Sequence, residues 1–213
     1  MTRPLWWEGG IPSPAAAPGV GPVGAGYAAQ PPSEVDVAIV GGGFTGLWTA
    51  YYLLGLDPSL SVVVLEAEHV GFGASGRNGG WVSALWPVSA STLARESGEA
   101  AARSMGAALR ETVLEVGRVA ADEGIDCDYR RGGVVLAART PAQVERARGY
   151  AAAGAAWGDG TVWLDLPEAR DRVRMSGLLG ATYNPNCARI HPRKLVDGLA
   201  AVVRSRGGLI VEG

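Results

Sequence analysis

The stretch Asp36-Val-Ala-Ile-Val-Gly-Gly-Gly-Phe-Thr-Gly-Leu-Trp-Thr-Ala, followed by Val62-Val-Val-Leu-Glu66, constrains this chain more than any other segment. It reads as a buried strand, a glycine-rich turn, a helix and a second strand ending in an acid. That is the order a Rossmann-like βαβ unit needs to bind the ADP half of a dinucleotide. Gly41 lets the chain turn sharply out of the first strand, Gly43 lets a pyrophosphate approach the backbone, and Gly46 lets the helix pack closely on the sheet. The helix start at Phe44 and Thr45 presents free N–H groups and the positive end of the helix dipole to phosphates. Glu66 follows Gly46 by 20 residues, at the end of the second strand, where its carboxylate can accept hydrogen bonds from ribose hydroxyls; Ala67 follows at the strand exit. The glycine spacing alone is common. Its placement between strand and helix, with the terminal acid in order, is what carries the inference.

The rest of the composition mainly excludes. A chain of 213 residues can bury a full core, as one domain or one and a half. A formal net charge of −2 is no electrostatic footprint for a nucleic acid. The two cysteines, Cys127 and Cys187, are 60 residues apart and match no metal or redox spacing, so they read as structural thiols of a reducing compartment, and no metal site is expected. No apolar run approaches a membrane span, and Met1-Thr-Arg-Pro-Leu-Trp-Trp-Glu is not followed by the apolar core of a signal peptide. A cytoplasmic protein is expected.

Residues 9–32 are rich in Pro, Gly and Ala and read as a tail or linker, with Leu5, Trp6 and Trp7 ahead of it expected to dock on the domain surface. The βαβ unit spans about 35–67. A second glycine-rich loop follows at Gly71-Phe-Gly-Ala-Ser-Gly-Arg-Asn-Gly-Gly80, then an amphipathic pattern expected to form one helix over about 92–123. Tyr129-Arg-Arg-Gly-Gly-Val-Val-Leu-Ala-Ala turns to a β pattern with a Gly-Gly bend. Helices are expected at about 142–156, after the N-cap Thr140 and Pro141, at 167–173 and at 192–206, and short strands at 161–166 and 209–212. The last helix and strand read as a crossover back into the first sheet, so a chain ending there is expected to be an incomplete, truncated domain. The expected division is a tail at 1–34, a dinucleotide-binding domain from 35–90 and 188–213, and a mixed α+β substrate-domain insertion at 91–187.

At this point the sequence resembles the FAD-dependent amine and amino-acid oxidoreductases of the D-amino-acid oxidase type, nearest the gamma-glutamylputrescine oxidoreductase and glycine oxidase branch. The residues that carry the resemblance are Asp36–Gly46, Val64-Leu-Glu66, Gly73-Ala-Ser-Gly-Arg-Asn-Gly-Gly80 and His191-Pro192 with Leu195 and Gly198-Leu199-Ala200. It covers nearly the whole chain but about the first half of the family's usual length. The resemblance implies FAD rather than NAD. In that setting the second loop makes sense as a flavin contact: its glycines, Gly79 and Gly80 among them, bring backbone against a flat ring. Ser75 can donate to a phosphate, and Arg77, beside Asn78, can supply positive charge near the pyrophosphate or the flavin. Some relatives attach FAD through a histidine in this loop; here Arg77 and Asn78 stand there and His69 precedes it, so noncovalent FAD is expected.

The resemblance further implies oxidation of a C–N bond in a small amine or amino acid, by hydride transfer from the amine-bearing carbon to flavin N5 and hydrolysis of the imine. No catalytic residue is assigned. Tyr129 and Arg131 are the only residues named for reading substrate, and both are expected to sit on the insertion sheet without a chemical role; His191 and Cys187 are expected to cap or pack. An NAD(P)-binding dehydrogenase or reductase and an inactive dinucleotide-fold remnant stay open as alternatives.

Overall fold

The structure, a computed structural model, describes residues 32–213. The expectations for Leu5, Trp6, Trp7 and most of the Pro/Gly/Ala segment therefore lie outside the described residues. In chain order the elements are β1 (Val37–Val40), α1 (Phe44–Leu56), β2 (Val62–Glu66), β3 (Trp81–Ser83), α2 (Ala90–Ser97), α3 (Glu99–Asp122), β4 (Arg130–Arg131) and β5 (Val134–Ala138). Then come α4 (Pro141–Trp157), β6 (Val162–Leu164), α5 (Leu166–Arg172), β7 (Gly180–Asn184), β8 (Cys187–Arg189), α6 (Pro192–Ser205) and β9 (Leu209–Glu212). They group into two compact units. The first holds residues 32–80, Ala120–Asp128 and His191–Gly213; the second holds Trp81–Val119 and Tyr129–Ile190.

The first unit is built on a parallel sheet of order β1-β2-β9. Val37 pairs with Val62 at one end, and Glu66 with Glu212 at the other. Parallel strands need a crossover, and α1 and α6 supply the two that the sheet uses. Leu47, Ala50 and Leu54 of α1, Val62, Val63 and Val64 of β2, and Leu195, Val196, Leu199 and Val203 of α6 form the buried core. A polar tie adds to it. Tyr51 Oη donates to Glu123 Oε1 (2.9 Å), and Arg206 stacks over the Tyr51 ring (4.2 Å) while donating to Glu123 and to the Tyr51 carbonyl (3.2 Å). Burial, then the Glu123 carboxylate, push the Tyr51 hydroxyl above its ordinary pKa, so it remains a donor. The reading of Val37–Val40 as a buried strand is corrected: Ala38 is exposed and Val40 is 87% exposed. Among the described residues β1 is an edge strand paired only with β2, whereas β2 has a partner on each side.

The second unit contains two antiparallel sheets, β3-β8-β4 and β5-β7-β6. The Gly132-Gly133 bend carries the chain from one to the other: Gly133 has φ +71°, and both its N–H and that of Gly132 donate to the Cys187 carbonyl (3.0 and 3.4 Å). A small core of Leu164, Ala169, Leu178 and Ala181 packs α5 on the second sheet. Thr140 caps α4 in a capping box with Gln143, as the Thr-Pro start predicts.

One sequence expectation differs here, and three strands form where the sequence carries no strand signal. The single helix over 92–123 is broken into α2 and α3 at Gly98, whose φ of +89° no interior helical residue adopts; Ser89 caps the start of α2 by accepting from the Thr92 N–H. Strands β3, β7 and β8 have no strong apolar alternation. Gly180-Ala-Thr-Tyr-Asn184 becomes the central strand of its sheet because β5 and β6 pair on either side of it. Residues 81–90 and 188–190 fall in the second unit, where β3 pairs with β8, and residues 120–128 fall in the first. No described helix is long and apolar enough to cross a membrane.

Candidate functional site

The site is built at the carboxyl ends of β1, β2 and β9, where open α/β sheets place ligands. Leaving β1, the chain turns at Gly41 with φ +101°, a conformation open to glycine. The Gly41 N–H donates to the Leu65 carbonyl (2.8 Å), and the Gly42 N–H donates to Glu66 Oε2 (2.7 Å). Glu66 Oε1 also accepts from the Glu68 N–H (3.1 Å). The acid at the end of β2 therefore reaches back to hold the turn, and each carboxylate oxygen keeps a lone pair for a further donor. Helix α1 starts at Phe44 with Gly43 as N-cap and no side-chain cap. A helix leaves its first N–H groups without intrahelical acceptors, so the N–H groups of Thr45 and Gly46 can serve an anion. Gly46 is sterically obligatory, since a Cβ there would sit 2.1 Å from the Gly41 carbonyl oxygen.

The second glycine loop comes to the same place. Gly71 N–H donates to the Gly42 carbonyl (3.0 Å), and Ser75 Oγ accepts from the Phe44 N–H (2.8 Å). Space at Gly43 is consequently occupied from the other loop: a Cβ there would lie 2.9 Å from Ser75 Oγ. Ser75 keeps its own hydroxyl proton to donate outward, at the mouth of the helix. The loop repeats the device of the first turn, because Gly71 has φ +69° and a Cβ at Gly76 would sit 2.2 Å from the Gly71 carbonyl oxygen. Asn78 braces it, donating through Nδ2 to the carbonyls of Ala74 (3.2 Å) and Ser75 (3.0 Å) and accepting from the Gly80 N–H (2.8 Å). Arg77 lies over the Phe72 ring at 4.8 Å. Thr45, Ala67 and Gly79 are exposed around the rim, and Gly80 turns out of the loop with φ +72°.

Two residues of this assembly escaped the sequence reading. The Val70 N–H donates to Glu212 Oε1 (2.6 Å), and the Val70 carbonyl accepts from Arg193 (3.2 Å) and lies 3.0 Å from His69 Nδ1. Glu212 is paired with Arg204 (3.1 Å) and Arg193 with Asp197 (2.7 Å), so the peptide that opens the second loop is gripped from β9 and α6. The available signal was positional: Glu212 ends β9 as Glu66 ends the neighbouring strand.

Other candidates are placed elsewhere. Tyr129 Oη donates to the Val113 carbonyl (2.6 Å), and its ring fills the space over Gly117, a packing role. Arg131 is exposed on β4. His191 caps α6, its Nδ1 accepting from the Lys194 N–H (3.3 Å); burial, then the Lys194 charge, hold its pKa below the ordinary value. Burial pushes the Cys187 thiol up, away from nucleophilic thiolate.

Residues 36–213 match the family described as FAD dependent oxidoreductase. The chain belongs to this family. Among its relatives, gamma-glutamylputrescine oxidoreductase of Escherichia coli (strain K12) is 34% identical over 186 residues, covering 83% of this chain and 41% of the relative. The structure of glycine oxidase from Geobacillus kaustophilus aligns with a TM-score of 0.62 and 27% identity over 84% of this chain and 46% of that one. Glycine oxidase from Bacillus cereus ATCC 14579, at 22% identity and TM-score 0.64, shares the fold. The chain thus spans less than half the length of these relatives. The cofactor in the family's description is FAD. The residues fit the ADP half of that cofactor: a side-chain-free turn, a helix N-terminus and a carboxylate converge at the carboxyl ends of the parallel strands.

Proposed function

We propose that this chain binds FAD noncovalently through its first unit and serves the oxidation of the C–N bond of a small amine or amino acid. The observation that carries the reading is the two-sided cradle: Ser75 of the second glycine loop is hydrogen-bonded to the first N–H of α1, opposite the turn held by Glu66. In this reading the backbone at Gly41, Gly43, Phe44, Thr45 and Gly46 faces the pyrophosphate. Glu66, followed by Ala67, receives the ribose hydroxyls, and the Ser75 hydroxyl donates to a phosphate oxygen. Arg77 adds positive charge, and Asn78, Gly79 and Gly80 shape the loop toward the flavin ring.

FAD supplies the hydride acceptor when bound. The task of the chain's own residues is to orient the cofactor, neutralise its diphosphate and bring backbone against it. The choice of amine or amino acid as substrate rests on what the relatives are named for, gamma-glutamylputrescine and glycine. The NAD(P) alternative is not favoured by the family match, which names FAD.

The test is direct. The purified chain, reconstituted with FAD, is expected to retain a yellow chromophore that heat denaturation releases as free FAD. Colour that stays with the precipitated polypeptide would contradict noncovalent binding, and NADH binding without FAD binding would contradict the cofactor. Ser75→Ala leaves the Phe44 N–H without its partner and is expected to weaken FAD binding about five- to tenfold, from a loss of roughly 1 kcal/mol. Anaerobic addition of gamma-glutamylputrescine, glycine and other small amines to the FAD-loaded chain reads the second part. Bleaching by at least one amine supports it, and bleaching only by hydroxy acids would replace it.

A further inference from the structure

We propose that the second unit carries a binding site for a small amphipathic carboxylate, its apolar body in a cavity beside α3 and its carboxylate on Arg110. The cavity encloses about 260 Å³, with walls that include Leu85, Trp86, Leu93, Met105, Leu109 and Trp157. Its three charged lining residues are Arg103, Asp159 and Arg110. Two of them are engaged: Arg103 pairs with Glu99 (2.7 Å) and lies over Trp157 (5.1 Å), and Asp159 Oδ1 accepts from the Thr161 N–H (2.7 Å). Arg110 is half-buried and, among the described residues, makes no hydrogen bond or ion pair.

Arg110 also lines an adjoining cleft of about 160 Å³, together with Arg131, Asn186 and Glu111. Arg131 likewise has no ion pair among the described residues, and Glu111 is exposed. Two guanidinium groups therefore face one carboxylate. Asn186 is committed, donating through Nδ2 to the Asp159 carbonyl and through its N–H to Asn184 Oδ1.

A partly desolvated guanidinium without an anion carries an uncompensated cost, and its planar fork matches a carboxylate with two parallel hydrogen bonds. Apolar walls disfavour a small fully hydrated anion, and beside the Arg110 guanidinium, which has no ion pair among the described residues, a carboxylate is favoured over an amine. A molecule with one apolar end and one carboxylate satisfies both halves. The volume lies below the roughly 300–1,000 Å³ of drug-sized sites, which limits the body to about one ring or a short branched chain. Every lining residue belongs to the second unit, so the site does not rest on the flavin reading.

The experiment is a fluorine-NMR titration of the full chain, with and without FAD, using three probes: 4-fluorophenylacetate, 4-fluorophenethylamine and 2-(4-fluorophenyl)ethanol. The carboxylate is expected to bind at least about tenfold more tightly than the amine, with or without FAD. Arg110→Gln is expected to weaken the carboxylate about tenfold while leaving the alcohol unchanged, which reports that the cavity is still formed; Arg110→Lys should recover part of the loss. Equal binding of carboxylate and amine, an unchanged carboxylate affinity in Arg110→Gln, or no carboxylate binding at millimolar concentration would each overturn the proposal.

Discussion

In the turn from Gly41 to Gly46, two constraints come from within the same βαβ unit, since the Gly41 carbonyl excludes a side chain at Gly46 and Glu66 at the end of the next strand holds Gly42, and the Gly71 N–H and Ser75 Oγ of the following loop add to them. The loop from Gly71 to Gly80 uses the same local device, with a positive-φ glycine whose carbonyl excludes a side chain five residues on. Its position, however, is set from far along the chain. Glu212, 142 residues away, accepts from the Val70 N–H, and Arg193, 123 residues away, donates to the Val70 carbonyl. Local stereochemistry shapes both segments and hydrogen bonds tie them to each other, but only the second is also held from α6 and β9. A loop held that way is ordered when α6 and β9 are in place.

The largest expected effects test the shared device. Gly46→Ala and Gly76→Ala each put a methyl group against backbone that cannot rotate away, and each should cost about 3 kcal/mol or more in denaturant unfolding. Gly73→Ala, which meets nothing within 4 Å, should stay within about 0.5 kcal/mol. A benign Gly76→Ala would break the parallel between the two segments.

Next in size is the long-range grip. Glu212→Ala leaves the Val70 N–H without its acceptor and should cost about 1–3 kcal/mol, while Glu212→Gln, which keeps an acceptor oxygen, should cost less. The comparison is sharpened if Glu212→Ala speeds FAD release more than it lowers unfolding stability. Equal stability and release rates in Glu212→Ala and the parent chain would show that the loop holds itself.

The smallest effect concerns the start of α6, which carries Arg193. Burial keeps His191 neutral below its ordinary pKa of 6.5, so the unfolded chain takes up a proton that the native one does not. The stability that neutral His191 contributes is therefore present above about pH 6.5 and is lost as pH falls toward its lowered native value. Lys194 adds to the lowering, and Asp128 and Asp197 oppose it. His191→Asn, a cap that does not titrate, should flatten this part of the pH profile in urea unfolding. An unchanged profile would separate the cap from the loop it supports.

Much of the first unit was legible because its rules are local. Strand, turn, helix and acid follow each other within 36–66, and a residue such as Gly46 has one stereochemical reason to be glycine. The same holds for Thr140 capping α4 and for Pro192 opening α6. Less legible were the break at Gly98, where an amphipathic pattern runs straight through a glycine, and β7, whose small and polar residues carry no alternation. The exposed edge of β1 was missed for the same reason: Val37-Ala-Ile-Val40 has the composition of a buried strand, and only pairing shows on which side it has a neighbour.

By itself, then, the amino-acid sequence determined the βαβ unit, its glycine turn and the acid that closes it, because glycine conformations and strand-to-helix order depend on neighbouring residues. The tertiary structure decided that Ser75 reaches the first N–H of α1, that Glu212 and Arg193 grip the loop that carries it, and that Arg110 stands beside an apolar cavity with no ion pair among the described residues. Those contacts join residues from 31 to 142 positions apart or depend on what fails to arrive beside a side chain. Neither is encoded in spacing along the chain, and both follow only once the sheets have brought their strands together.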